Sequence, residues 1–514
     1  MVLDPLDIAV LGAYLLLLTG MGLYFARKNS NTEAYFVGSR SFSGALIGLS
    51  LVGTSISSIT FIAYPGDAFK TAWLRFAPNL LLPLAVGIAA IYFLPFFRGG
   101  RTTSAYEILE QRFGPSIRIY GALAFLLGQI VRISMILYLL ALVLHEVTGF
   151  GLSPCIWLAG FFVAFYTIVG GIEAVVWTDV VQTLILIGGG LACYWIILST
   201  LPNGFAQIFE VAHAHNKLSF SELQNEILQA VPWNFSVHEK TVPMLLLVGL
   251  SAWLTEYSSN QNVIQRYCAS KSDREARKAM LICALMSLPI WALYMFLGTS
   301  LFVFFQVFPD TAATQMLNGT RSAEGILPFF IVHYLPPGFA GLVIAAVLAA
   351  AMSSLDSSIN AISTVWVVDI DRRHLRPGLD ERSSLQSAWS AAAVASLLMI
   401  LGAGYLAESP GKTLQDTAMI LTSLLASGML GIYLLAFFTQ RATTASVWIA
   451  IVATLGFTAW TLVSQKGILA DPTALPFDLY YAGLIGNAIL FTLAWVLGKG
   501  SRAANPIPVT APKD

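Results

Sequence analysis

The sequence predicts an all-α integral membrane protein of about thirteen transmembrane helices, and three observations lead there. Of 514 residues, 57% are hydrophobic and only 11% charged, against roughly 25% charged in an ordinary soluble domain. Apolar runs such as 8–26, 77–97, 119–143 and 445–463 recur from end to end, each supplying the roughly 20 residues that a helix needs to cross a hydrocarbon core about 30 Å thick. Between the runs, extensive polar sequence is confined to 201–241 and 307–337.

Spans are expected to begin near residues 6, 44, 77, 118, 154, 178, 241, 279, 338, 384, 414, 444 and 479. The first is read as a mature helix. Asp4 and Asp7 stand where a cleaved signal would carry positive charge, and no small-residue cleavage site follows. Counting Lys and Arg in alternate loops places 20 of the 28 on one side and seven on the other. The positive-inside bias then sets an external N-terminus and a cytoplasmic C-terminus, as in a bacterial inner-membrane protein. The remaining cation is Arg132. Residues 1–500 read as one transmembrane domain, and the Pro- and Ala-rich 501–514 as a short disordered tail.

Several classes are disfavoured. A net charge of zero offers no clustered basic surface for nucleic acid. Cys155, Cys193, Cys268 and Cys283 lack metal-ligand spacing. The six histidines form no HExxH pattern and no G-x-S-x-G elbow accompanies them, so an enzyme is not expected. A membrane sensor would need an attached signalling module, and the tail is too short to be one. The expected surroundings are a lipid bilayer and the expected working unit a monomer.

The informative positions are those where the apolar pattern breaks. Span two reads GALIGLSLVGTSISSITFIAYPG, with a glycine and five hydroxyl residues between Gly53 and Thr60; inside hydrocarbon such a break must face protein or water. Span nine carries AAAMSSLDSSIN from Ala349 to Asn360, where Ala350, Ser353, Ser357 and Asn360 share a face and Asp356 lies beside it. Its adjacent hydroxyls and carboxylate suit a hard cation; a plain Ala/Ser helix contact is the competing reading, and the intramembrane Asp356 weighs against it. Asp179 opens span six, either as an N-terminal helix charge or as a ligand. Arg132 lies mid-helix, about 20 Å from either end, in an ion pair or as a fork for a carboxylate. Span seven carries a second polar break, SAWLTEYSSNQNVIQRY, with Glu256 inside it. Two broken helices five spans apart fit an inverted repeat of five plus five helices, about 44–200 and 241–438, with solute and coupling ion bound between the breaks.

The blocks TSISSITF (54–61), TSAYEILEQRFG (103–114), GGIEAVVWTDVVQ (170–182), QNVIQRY (261–267) and LAAAMSSLDSSINAIST (348–364) resemble the solute:sodium symporter family over roughly residues 5–500. The resemblance implies a LeuT-type fold with discontinuous helices and Na+ as coupling ion. It places a sodium site on the backbones of Gly53, Ile56 and Ala350 and the hydroxyls of Ser353 and Ser354. A second, found in some members, falls on Asp179, Ser353, Asp356 and Ser357, with Asp356 standing where relatives have Ser or Thr.

Within the family the chain is most similar to bacterial sialic acid transporters. That likeness implies a carboxylate-gripping Arg132, hydroxyl contacts from Ser57 and Thr60, Asn79 in place of a glutamine and Arg75 in place of an aromatic residue. The expected function is sodium-driven import of a small anionic solute by alternating access, with sialic acid as first choice. A neutral sugar, amino acid or small monocarboxylate is the alternative, with Arg132 then in a structural pair.

Overall fold

The computed structural model describes residues 4–27, 31–100, 102–224, 227–408, 428–465 and 475–498. Among these, nine helices are long and apolar enough to cross a membrane, or ten if one bent pair counts as a single span. The remaining three expected spans fall short for separate reasons. The one near 154 is Leu152–Ile168, because Gly171 takes a φ of 61° and ends it. The one near 241, Val242–Ser259, runs into the polar sequence before Asn260. The one near 414 begins outside the described residues, of which Met429–Phe438 remains.

Helix Phe339–Val365 is the axis of the bundle, with every residue from Val343 to Val365 buried. A helix that is apolar or small on all sides has no lipid face, and this one packs against Pro5–Ala26, Pro115–Thr148 and the Leu152–Thr200 pair. Asp7 caps it: its Oδ1 accepts from the backbone N–H of Gly338 (2.7 Å) and Gly341 (2.6 Å). Asp7 thus satisfies donors at the N-terminal end of the central helix that would otherwise be orphaned.

The segment 201–241 is not open loop. Helix Gly204–Ala214 is followed by an antiparallel hairpin, Ser221–Gln224 with Ile227–Ala230. Lys217, buried between them, donates to Phe69 O (2.7 Å) and Thr71 O (2.9 Å), closing the C-terminal end of the Tyr64–Lys70 helix.

Candidate ion and substrate site

Span two divides as its sequence predicts. Helix Gly44–Ser55 stops where Ile56 turns extended (φ −107°, ψ 109°), and a π-turn at Ile59–Ala63 leads into Tyr64–Lys70, bent 59° from the first half. Stopping a helix leaves its last carbonyls without partners, and the central helix supplies them. The Ser353 hydroxyl donates to Gly53 O at 2.9 Å and to Ala350 O at 3.3 Å, while Ser354 donates to Thr54 O at 3.4 Å. Gly53 is required by close approach, since a Cβ there would lie 2.7 Å from Thr183 Oγ1.

These buried neutral oxygens fit a sodium ion. The hydroxyls need only rotate to present lone pairs beside the carbonyls of Gly53, Thr54 and Ala350, and oxygen donors of this kind suit a hard cation.

The second predicted set is gathered but already engaged. Asp179 lies well inside helix Gly170–Thr200 and is fully buried. The macrodipole reading is therefore overturned, because the helix begins about two turns earlier. Its Oδ2 takes a 2.8 Å ion pair from Arg266 and a hydrogen bond from Ser50, while Oδ1 has no partner among the described residues. Arg266 also donates to Ser357 Oγ. Asp356 Oδ2 accepts from Tyr166 at 3.0 Å, and its Oδ1 lies 3.3 Å from Ser357 Oγ. Sequence reading misses Arg266, although QNVIQRY carries it in plain view; three of its four bonds, to Ser50, Asp179 and Ser357, reach positions far apart in the chain, and the fourth goes to Asn262 O one turn back.

Span seven breaks at Asn260, whose backbone is extended (φ −82°, ψ 115°) between Val242–Ser259 and Gln261–Ala269. Between the two breaks lies a cavity of about 510 Å³, within the usual range for a small-molecule site. Ser57, Thr60, Arg75, Asn79 and Arg132 all line it. Ser57 also accepts from Ile59 N (3.2 Å), Asn79 donates to the Tyr64 hydroxyl (2.9 Å), and Arg75 is held by Asp67 at 2.9 Å.

Arg132 sits in helix Pro115–Thr148, with Glu256 Oε1 3.8 Å from its Nη1. At that separation the pair is electrostatic without a hydrogen bond. Trp253 and Trp291, stacked at 5.3 Å, form an apolar wall. Tyr106 is buried beneath and donates to Ser259 O at 2.9 Å. An isolated Trp in an apolar run reads like any lipid-facing Trp, so only packing reveals this wall.

The model of the sodium:solute symporter family matches residues 35–453. The sodium/sialic acid symporter SiaT of Proteus mirabilis is 31% identical over 94% of this chain and 92% of its own. NanT of Aliivibrio fischeri, also a sodium/sialic acid symporter, is 28% identical over 96% and 92%. A solved Na+-coupled sialic acid symporter, substrate-bound and outward-open, superposes with a TM-score of 0.85 at 30% identity, covering 96% of this chain and 97% of that one. The match spans the broken helices, the central helix and the cavity between them: the chain belongs to the sodium:solute symporter family.

Proposed function

We propose that this chain imports N-acetylneuraminate, or an acidic sugar close to it, together with sodium. The observation that carries the reading is Arg132. Its guanidinium has five N–H donors, lines the cavity, and makes no hydrogen bond among the described residues. A carboxylate would fill that fork in a bidentate pair. Sialic acid comes from the two relatives named above and from the solved symporter.

Gly53, Ile56, Ala350, Ser353 and Ser354 hold sodium in this reading. Ser57, next to Ile56, and Thr60, about one turn further on, meet the solute with Arg132, while Asn79 and Arg75 form the outer wall. One broken segment then serves both ligands, so each tightens the other's binding by the same factor. A second sodium at Asp179, Ser353, Asp356 and Ser357 requires Arg266 to withdraw. Transport is a rocking of repeats 44–200 and 241–438 about the site, in a monomer with external N-terminus and cytoplasmic C-terminus in a bacterial inner membrane.

Proteoliposome uptake of labelled N-acetylneuraminate tests this. Accumulation should follow an inward sodium gradient; equal accumulation with choline in place of sodium, with no proton gradient, refutes it. The nearness of Glu256 to Arg132 favours one second reading, a zwitterionic amino acid, and competition by amino acids against acidic sugars separates the two.

A further inference from the structure

We propose that Glu256 is a specificity-determining residue of the cavity: it reads a hydrogen-bond donor that the ligand carries near its carboxylate, and so rejects bare carboxylates. The inference rests on the reading in which Arg132 takes a carboxylate.

Glu256 is the only acidic residue lining the cavity among the described residues. Its Oε1 accepts from Asn260 Nδ2 at 2.8 Å, which leaves most of a carboxylate's acceptor capacity free. It sits in the last turn of Val242–Ser259, where the helix dipole disfavours an anion. A structural ion pair would offset that cost by closing on Arg132. Instead the two side chains stand 3.8 Å apart, each about a quarter exposed (25% and 28%).

A carboxylate entering the fork of Arg132 therefore shares one guanidinium with a second carboxylate. Like charges so placed repel in a partly buried site. A hydroxyl, amide N–H or ammonium next to the ligand's carboxylate removes the penalty by donating to Glu256. A simple monocarboxylate has nothing to donate. The pair thus selects acids flanked by donors, the chemistry of an acidic sugar, over short fatty acids and keto acids.

The test uses the full chain in proteoliposomes with a sodium gradient. Inhibition of labelled N-acetylneuraminate uptake by propionate and pyruvate is set against the KM for N-acetylneuraminate. In Glu256→Gln the ratio of monocarboxylate inhibition constant to KM should fall about tenfold, equivalent to ~1.4 kcal/mol. Glu256→Asp, which keeps the charge, should stay near the wild-type ratio. A ratio unchanged within about twofold in Glu256→Gln, or shifted alike in both variants, overturns the proposal. Sodium-dependent thermal stabilisation of each variant reports folding separately. If the wild-type chain takes up no N-acetylneuraminate, the substrate reading itself fails, and that is seen before any variant is made.

Discussion

Two arginines on one helix, Arg118 and Arg132, meet opposite fates. They lie 14 residues apart in Pro115–Thr148, about 21 Å along the axis. Arg118 is closed on every side: Asp369 at 2.6 Å, Glu110, and the carbonyl of Val368. Asp369 in turn accepts from Ser104, and Glu110 from Arg373. Arg132 has a single acidic neighbour at 3.8 Å, and an open cavity in front of it. The same side chain is structural where its donors are all answered and receptive where they are not. A buried cation left unanswered is tolerated in a membrane only where a partner or water reaches it.

Arg118→Met leaves Asp369 buried and unpaired, which costs about 3–5 kcal/mol; a thermal midpoint lowered by several degrees is expected, with or without substrate. Arg132→Ala should do the reverse, reducing N-acetylneuraminate uptake about a hundredfold, or ~2.7 kcal/mol, while the midpoint and sodium binding hold. If Arg132→Ala unfolds the protein as readily as Arg118→Met, the contrast is wrong.

Ser353→Ala removes one hydroxyl and should raise the sodium concentration for half-maximal uptake about tenfold, ~1.4 kcal/mol, with little change in maximal rate.

The smallest effect is on pH. Burial works to raise the Glu110 carboxyl, but hydrogen bonds from Arg118 and Arg373 outweigh it and hold it below the usual carboxylate range. A carboxylate depressed in the folded state stabilises above its unfolded value of about 4.3, and that contribution fades as pH falls through the lower folded value. Thermal midpoints should therefore drop a little below pH 4, and Glu110→Gln should flatten the drop.

Helices, breaks and their residues follow from local composition. The hydroxyl run at 54–60 forecasts a helix that stops, and it stops at Ile56; SSLDSS forecasts oxygens on the central helix, and Ser353 and Ser354 meet the freed carbonyls. The cavity side chains named from resemblance also converge on one space. The closed contacts were not legible. Nothing near Asp179 announces Arg266, 87 residues on, nor does anything near Arg118 announce Asp369, 251 residues on.

Composition and local pattern in the sequence are enough to give a membrane bundle, the two places where its helices break, and the hydroxyls and the cation that neighbouring unbroken helices bring toward them. Apolarity and hydroxyl content act over a turn or two of helix, and bilayer thickness turns them into spans. Tertiary structure decided which charges are answered. Arg266 against Asp179, Arg118 against Asp369 and Arg132 facing Glu256 across a gap are matters of a few ångströms between helices distant in sequence, set by packing that no local pattern encodes.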